Sequence, residues 1–251
     1  SVRLPSLRQC PADPQSACSG TQKRGRSLAK QDSRDNSSVL VIGLGRFGAS
    51  TASNLMKLGR QVMAVERNPE VVSEWMGKLT HVVEADSTNI EALRQVGAQD
   101  FNTAVVGIGT SIEASVLTTA NLVDLGVEQI WAKAISLAHG KILKRIGAEH
   151  VLYPESEAGA RVAHLVSSRM LDFIEFDDGQ FAVVKMRPPK EVQDFTLEES
   201  DIRQKYGVTV VGVKGPGRDF TYAEPSSRIG PHDVLIVAGH VEVLARFADR
   251  P

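Results

Sequence analysis

From residue 39 onward, short runs of apolar and β-branched residues alternate with stretches whose apolar positions recur at helical spacing. The runs predict six strands, over 39–42, 62–65, 81–83, 104–108, 130–134 and 151–153. Helical patterns such as 48–58 and 112–125 lie between them, and several stop at a glycine: Gly59, Gly97, Gly126 and Gly147. Strands that are apolar throughout are typical of a parallel sheet covered on both faces. Residues 38–155 are therefore predicted to form an α/β domain with a Rossmann-like, doubly wound parallel sheet.

The pattern changes after residue 155. One long helix is predicted over 157–171, within a crossover segment at 156–171. Strand patterns follow over 181–186, 208–213 and 234–237, with turn residues between them and a short helix over 196–206. Because these strands come without a matching series of helices, residues 172–251 are predicted to form a small α+β domain.

Residues 1–38 lack this organisation. They contain eight serines, three prolines and no aromatic residue, and they show no apolar period. Such a segment cannot bury enough apolar surface to offset its ordering entropy, so residues 1–37 are predicted to be a disordered tail. Both cysteines, Cys10 and Cys18, lie in this segment. The remaining sequence therefore offers neither a disulfide framework nor a thiolate metal site.

Charge and hydropathy argue against two classes of function. The 251 residues carry a net charge of −1, although the first 38 hold seven basic and three acidic residues. This balance does not fit a strongly basic nucleic-acid binder, and no nucleic-acid partner is expected. No run of 18 consecutive apolar residues occurs, so the chain is not expected to span a membrane by itself.

The sharpest motif is VLVIGLGRFG at 39–48, a G-x-G-x-x-G sequence that follows a predicted strand and opens a predicted helix. Gly43 permits the tight turn, Gly45 lets a phosphate approach the main chain, and Gly48 lets the helix pack closely on the strand. Free N–H groups and the helix dipole then favour an anionic phosphate. The motif, including Phe47, predicts a nucleotide site, and a glycine-rich turn without a ligand is the alternative.

Two charged residues refine the choice of nucleotide. Glu66 ends the second predicted strand 18 residues after Gly48, close to the roughly 20 expected of the acidic residue that binds ribose hydroxyls. A carboxylate there disfavours the 2′-phosphate of NADP, and the alternative is a solvated charge at a strand end. Arg46 places a positive charge over the phosphate turn, which suits the terminal phosphates of ATP or ADP.

Three further candidates lie near the ends of predicted strands. Asp86 follows the third strand, where it could contact an adenine amino group or a second ribose, or could cap a helix. Gly107 closes the fourth strand against the same crevice. Lys133, on the fifth strand, is either a phosphate counter-ion or a surface lysine whose stem covers apolar residues.

Taken together, the motifs resemble the RCK family, the regulators of conductance of potassium, and in particular its KtrA-type and TrkA-type members. The resemblance covers residues 38–251 and rests on VIGLGRFG at 41–48, HVVEAD at 81–86, SVLTT at 115–119, IWAKA at 130–134, IGA at 146–148, YPE at 153–155, IRQKYGV at 202–208 and DVLIVAG at 233–239. It implies an RCK N-terminal nucleotide-binding domain over 38–155 and an RCK C-terminal domain over 172–251.

The resemblance also implies a function. Members of this family form homodimers that assemble into rings, usually of eight RCK domains, beneath a membrane potassium-transporting subunit of the KtrB or TrkH type. Nucleotide binding to the ring gates the pore. By position, Arg46 is implied to contact the terminal phosphates of ATP, and Glu66 replaces the family's usual aspartate. Glu155 is implied to bind a divalent cation, Mg²⁺ or Ca²⁺, or else to be an acidic residue at the N-terminus of the following helix.

For the rest of the chain, the resemblance implies that the helix over 157–171 forms a dimer contact. The C-terminal domain binds a cyclic dinucleotide in some relatives, and Arg203 is the candidate contact for one here. The implied location is cytoplasmic, at the inner face of the cell membrane through the partner.

The sequence leaves the nucleotide and the exact role open. NAD(H) presents adenosine and a pyrophosphate to the same turn as ATP or ADP does. The alternatives to a potassium-transport regulator are an NAD(H)-binding regulator of another cation transporter or antiporter, and an NAD-dependent oxidoreductase. The six histidines are scattered, and neither a Tyr-x-x-x-Lys nor a Ser-His-Asp arrangement is visible, so an enzyme is not expected.

Overall fold

The computed structural model describes residues 38–176 and 179–251, so the predicted tail 1–37 lies outside the described residues, as do Asp177 and Asp178. The first part of the described chain alternates strands and helices: β1 Ser38–Ile42, α1 Arg46–Lys57, β2 Gln61–Glu66, α2 Pro69–Trp75, β3 His81–Glu84, α3 Ile90–Gln95, β4 Thr103–Val106, α4 Ile112–Asp124, β5 Gln129–Lys133, α5 Leu137–Ile146, β6 His150–Leu152 and α6 Pro154–Ser167. All six predicted strands are present, and the four predicted glycine stops adopt φ values of 77° to 113°.

The six strands form one sheet in the order β3-β2-β1-β4-β5-β6, and every neighbouring pair is parallel. The chain moves outward from β1 to β3 and then returns to the other side of β1. The direction of winding therefore reverses between β1 and β4. Ligands of doubly wound sheets bind in the crevice that such a reversal opens at the carboxyl ends of the strands. The predicted Rossmann-like fold is confirmed.

Alternate side chains of β1 are buried on opposite faces of this sheet. Leu40 and Ile42 belong to one apolar cluster, together with residues of α3, α4 and α5. Val39 and Val41 belong to another, which includes Ala52 of α1. A strand buried on both faces requires apolar residues at every position, which is why the sequence runs of this part are continuous rather than alternating.

The second part of the described chain is an antiparallel sheet in the order β10-β9-β11-β8-β7. Its strands are β7 Met170–Phe176, β8 Phe181–Met186, β9 Thr209–Lys214, β10 Thr221–Tyr222 and β11 Val234–His240. Three short helices accompany it: α7 Leu197–Ser200, α8 Ile202–Tyr206 and α9 Val241–Ala248. Ile202, Leu244 and Phe247 of these helices pack against one face of the sheet in a separate core. The predicted small α+β unit is confirmed.

The long helix predicted over 157–171 is wrong at both ends. The helix α6 begins at Pro154. Proline fits the first turn of a helix, because the N–H groups there have no carbonyl partner within the helix and the lack of one costs nothing. It ends at Ser167, and Ser168 is already extended, with φ −139° and ψ 174°. Met170 is then buried in the core of the second sheet as the first residue of β7. The end of the proposed crossover segment at 156–171 therefore lies inside a strand.

Other elements of the second part also differ from the prediction. The helix predicted over 196–206 is broken into α7 and α8 at Asp201, which adopts a left-handed conformation with φ 50°. The strands β7 and β10 and the helix α9 were not predicted. Bulges interrupt the alternation in β7, between Met170 and Asp172, and in the β9–β11 pair, so the period-2 signal is weak there.

Within residues 38–176 and 179–251, none of the helices combines the length and the hydropathy that crossing a bilayer requires. The longest of them, α6, has 14 residues and carries acidic residues in its first turn. A transmembrane helix needs about 20 predominantly apolar residues.

Candidate functional site

The glycine motif forms the turn between β1 and α1. Gly43 has φ 85°, a value that residues with a Cβ rarely adopt, and its N–H donates to the carbonyl of Val65 at 2.8 Å. The helix α1 starts at Arg46, and its N-cap, Gly45, has no side chain with which to cap the first N–H groups. The dipole of this 12-residue helix thus points its positive end at the crevice between β1 and β4.

Gly48 and Gly45 have different surroundings. A Cβ at Gly48 would lie 1.9 Å from the carbonyl oxygen of Gly43, so no side chain fits there. Gly48 is predicted to let α1 pack closely on β1. In the structure, the atom nearest to a Cβ at Gly48 belongs instead to the main chain of the turn, at Gly43. Gly107, whose N–H donates to the carbonyl of Ile42 at 2.8 Å, packs against the same point. A Cβ at Gly45 would meet nothing within 4 Å, which leaves the turn open to a ligand.

A cleft of about 460 Å³ opens at the carboxyl ends of β1, β2, β3 and β4. Five of the candidate residues line it, namely Gly43, Gly45, Glu66, Asp86 and Gly107. The other five candidates are outside the lining that the structure describes: Arg46, Phe47, Gly48, Lys133 and Glu155. The sequence motifs therefore divide into a group in the cleft and a group beside it.

Glu66 is bound to the main chain of the turn. Its Oε2 accepts a hydrogen bond from the N–H of Leu44 at 2.6 Å. Its Oε1 accepts from the N–H groups of Arg67 at 2.8 Å and Asn68 at 3.0 Å. The carboxylate thereby fixes the glycine turn against the end of β2, and it still lines the cleft. The Glu66 carboxylate thus accepts three main-chain hydrogen bonds, which a charge contacted by water alone would not do.

Asp86 forms a local turn after β3. Its Oδ1 accepts from the hydroxyl of Thr88 at 2.7 Å and from the N–H of Thr88 at 3.0 Å. These bonds, led by the one from the hydroxyl, lower the pKa of the Asp86 carboxyl below its usual value. The residue is exposed at the cleft wall as an anion, so a donor such as a ribose hydroxyl or an amino group is the type of ligand atom it can bind.

Hydroxyl groups that sequence reasoning did not single out support this wall. Ser87 and Thr118 share a buried hydrogen bond at 2.8 Å between their side-chain oxygens. The amide of Asn121 donates to the carbonyl oxygens of Ser87 and Thr88, at 3.1 and 3.0 Å. The loop after β3 is therefore held by α4. The available signal was the polar residues Ser115, Thr118, Thr119 and Asn121, which alternate with apolar residues in one predicted helix.

Lys133 and Glu155 form an ion pair beside the cleft. Lys133 Nζ donates to Glu155 Oε1 at 2.6 Å, and the two side chains are 11% and 61% exposed. Lys133 ends β5, and Glu155 is in the first turn of α6. The bond to Lys133 is the main cause that lowers the pKa of the Glu155 carboxyl, and the charge of Arg46 contributes in the same direction. Arg46 and Glu155 thus lie within electrostatic range of each other.

Glu155 of this ion pair lines a second, larger groove. The groove, of about 1240 Å³, is lined by the loop after β5, the start of α6 and the β7–β8 hairpin, and Glu155 is in its wall. Gly109 lines both cavities. The ring of Phe47 lies 5.9 Å from Lys133 Nζ, so the second residue of α1 also borders the pair.

Glu155 alone does not make a metal site. No group of three or more histidine, cysteine, aspartate or glutamate side chains within the described ranges is placed to hold a metal ion. The Oε1 of Glu155 accepts a hydrogen bond from the ammonium group of Lys133. The described residues of one chain therefore do not by themselves supply a set of side-chain ligands for a divalent cation.

Comparison with known proteins agrees with this architecture. Residues 39–154 match the family model of the TrkA-N domain. Over 213 residues the chain is 33% identical to Ktr system potassium uptake protein A of Bacillus subtilis (strain 168), covering 84% of this chain and 96% of that protein. It is 37% identical over 211 residues to Ktr system potassium uptake protein C of the same organism, covering 84% of this chain and 95% of that protein.

Among solved structures, the RCK domain of GsuK superposes on this chain with a TM-score of 0.60 at 18% identity. The match covers 85% of this chain and 48% of that one, and at this identity it shows a shared fold. The sequence relatives go further, because their similarity extends through both the parallel and the antiparallel sheet. The chain therefore belongs to the RCK family of KtrA/TrkA-type potassium-uptake proteins.

Proposed function

We propose that this chain is a nucleotide-sensing regulatory subunit that gates a membrane potassium transporter or channel. The observation that carries the proposal is the alignment with potassium uptake proteins over 84% of the chain, with the open cleft of the Rossmann-like sheet as the place for an effector. Its role is binding rather than chemistry: the ligand shifts the equilibrium between two states of the regulator by its difference in affinity for them.

The proposed effector is ATP or ADP. Adenosine would lie against Glu66 and Asp86, and the phosphates would lie over the N-terminus of α1, where Gly45 leaves the main chain accessible. Arg46 is the first residue of α1, is exposed, and is close enough to Glu155 to lower the pKa of that carboxyl. Its charge favours the ligand with more terminal phosphate. NAD(H) remains the second candidate, since it offers the same adenosine and pyrophosphate groups.

The proposed assembly is a homodimer that builds an eight-membered ring, cytoplasmic and held at the inner face of the membrane by a potassium-transporting subunit of the KtrB or TrkH type. In support, α6 has no buried residue, and two of its apolar side chains, Val162 and Val166, are 56% and 82% exposed. A helix with such a surface is expected to be covered by a partner.

Two further ligands, a divalent cation and a cyclic dinucleotide, are proposed because the chain belongs to this family. A divalent cation at Glu155 would need donors beyond this chain's described residues, such as nucleotide phosphates or a second copy. A cyclic dinucleotide at the C-terminal unit would have Arg203 as a contact, and Arg203 is exposed in the first turn of α8.

Titration of the purified chain tests the ligand. ATP, ADP, NADH and a cyclic dinucleotide are added separately, with and without Mg²⁺, and heats of binding are measured. We expect ATP and ADP to bind competitively at one site per chain. Preference for NADH without discrimination between ATP and ADP would replace the proposed effector, and turnover of a hydroxy or carbonyl substrate with NADH would contradict the regulatory role.

Potassium flux tests the function. The chain is reconstituted into vesicles with the membrane subunit that copurifies with it, and flux is compared in ATP and in ADP. Arg46→Ala is expected to reduce the ATP-over-ADP ratio by roughly tenfold, because a charge-assisted phosphate contact is lost. Arg145→Ala is the matched control, since Arg145 is exposed in the last turn of α5, which leads into the amino end of β6, away from the cleft at the carboxyl ends of the strands. An unchanged ratio in Arg46→Ala would contradict the role of Arg46.

A further inference from the structure

A cavity of about 350 Å³ lies in the antiparallel unit and shares no lining residue with the cleft or the larger groove. Four parts of the chain meet there: the residue before β7, the turn after β8, the turn before β11, and the end of α9 with the residues after it. The described lining includes four basic residues, Arg169, Arg187, Lys190 and Arg250, and no acidic one. The cavity therefore concentrates positive charge in a chain whose net charge is −1.

Most of this charge has no acidic partner. Arg250 Nη1 bonds to Glu191 Oε1 at 2.6 Å, so one of the four cations is paired. Within residues 38–176 and 179–251, no ion pair is found for Arg169, Arg187 or Lys190. Like charges that line one cavity repel each other, and an anion bound between them removes that repulsion.

The fold holds the lining of this cavity in place. Arg169 Nη1 donates to the carbonyl oxygen of Arg250 at 3.0 Å, which ties the residue before β7 to the segment after α9. The guanidinium of Arg250 lies over the ring of Tyr206, 4.4 Å from its centroid. Two buried prolines, Pro188 and Pro189, fix the φ angles of the turn after β8. Donors that are already positioned lose less entropy when a ligand binds.

We infer that this cavity binds a phosphoryl group, carried by inorganic phosphate, by a small phosphate ester or by the headgroup of a lipid. A phosphate monoester carries about two negative charges and three acceptor oxygens, which match three cations without acidic partners. A carboxylate carries one charge and is bound by a single arginine, so it would leave two of the cations unpaired. The cavity is near the lower end of the range of about 300–1,000 Å³ for ligand pockets, so it suits a ligand of headgroup size rather than a dinucleotide.

This inference is independent of nucleotide binding at the parallel sheet. A ligand in the cavity touches four separate parts of the chain, so it is expected to stabilise the antiparallel unit by mass action. A phosphate can also bind over the N-terminus of α1, and the measurement therefore has to show where on the chain the ligand is bound.

The experiment titrates the full chain with inorganic phosphate and with glycerol 3-phosphate by calorimetry, at constant ionic strength. The double variant Arg187→Gln/Lys190→Gln is expected to weaken binding of both probes by about tenfold or more, because two charge-assisted hydrogen bonds are lost. Both side chains are exposed, so the variant is expected to fold. Arg246→Gln is the matched control, since Arg246 is exposed on α9 outside the lining of the cavity, and it should leave both affinities unchanged.

Two further measurements give the location and the source of the phosphoryl group. In hydrogen exchange, glycerol 3-phosphate should raise amide protection within 187–193 and 248–250, and protection gained only within 43–48 overturns the inference. Cosedimentation with phosphatidylcholine vesicles that contain phosphatidic acid identifies a lipid headgroup if retention is lost in the double variant. Saturable binding of glycerol 3-phosphate without such retention identifies a soluble ester. Equal affinity of wild type and the double variant, an equal loss in Arg246→Gln, or binding of none of these probes overturns the inference.

Discussion

At the scale of single residues, Gly45 and Gly48 illustrate how two glycines of one motif can be required for different reasons. Gly48 has no room for a Cβ, because the carbonyl oxygen of Gly43 would lie 1.9 Å from it. Gly45 has room, and its φ of −66° is accessible to any residue. Gly48 is therefore needed for the fold, and Gly45 for access of a ligand.

This difference predicts opposite outcomes for two alanine substitutions. Gly48→Ala is expected to lower the free energy of unfolding by about 3 kcal/mol, because the clash is with main chain that cannot rotate away. Gly45→Ala should cost less than about 1 kcal/mol but should weaken nucleotide binding, since its methyl group occupies the phosphate approach. Denaturant unfolding and calorimetric titration of both variants measure the two effects. Equal loss of stability would contradict the distinction.

Half of the ten predicted site residues line the cleft, but the side-chain partners of the candidates could not be predicted from the sequence. The glycine motif and Glu66 could be assigned because their spacing reflects one strand–turn–helix unit and the end of the next strand. Lys133 and Glu155 were each assigned a ligand, and the structure pairs them with each other. They are 22 positions apart on different elements. Sequence spacing predicts contacts within a helix or a strand, and it says nothing about contacts that only the sheet order creates.

At the scale of elements, α4 carries buried hydroxyl groups whose effects on stability should differ. The Thr118 hydroxyl bonds to that of Ser87 and so ties α4 to the loop after β3. The Ser115 hydroxyl is equally buried, and no partner for its side-chain oxygen is found among the described residues. A buried polar group without a hydrogen bond costs free energy, whereas a paired one is close to neutral or stabilising.

We therefore predict that Thr118→Val lowers the free energy of unfolding by about 1–2 kcal/mol, because it leaves the Ser87 hydroxyl unpaired while keeping the side-chain volume. Ser115→Ala is the matched variant and should lie within about 0.5 kcal/mol of wild type, or be slightly more stable. Thermal and denaturant unfolding provide the measurement. A larger loss in Ser115→Ala than in Thr118→Val would show that Ser115 has a partner in solution.

The elements of the first unit were predictable because a fully buried parallel strand has an unambiguous pattern. The end of α6 was not, since an apolar Met170 three residues after Ser167 fits a continuing helix as well as the start of a strand. Tertiary contact decides between them: Met170 is buried in the second core, and Phe173 stacks on His164 at a ring distance of 4.0 Å. The strand β7 therefore forms because its side chains Met170 and Phe173 are buried in the core of the second sheet.

At the scale of the whole molecule, the apolar cores of the two sheets share no buried residue among those that the structure describes. The clusters of the parallel sheet lie within 39–148, and the buried residues of the antiparallel sheet lie within 170–248. The helix α6 packs Leu165 against the core of the antiparallel sheet, and its Arg161 bonds to Asp172 of β7 at 2.5 Å. It meets the parallel sheet through the ion pair of Glu155 with Lys133. Because no described residue of α6 belongs to the apolar clusters of the parallel sheet, the two units are expected to unfold with separate free energies.

Two equivalent core substitutions test this independence. Leu93 of α3 and Leu244 of α9 are both fully buried, one in each core, and Leu→Ala is expected to cost about 2–5 kcal/mol at either site. In hydrogen exchange, Leu244→Ala should reduce amide protection within 170–248 and leave the parallel sheet and nucleotide affinity unchanged. Leu93→Ala should reduce protection within 39–148 instead. Equal loss of protection in both units from either substitution would mean that the chain unfolds as one cooperative body, and that α6 couples the cores more strongly than its contacts with the parallel sheet predict.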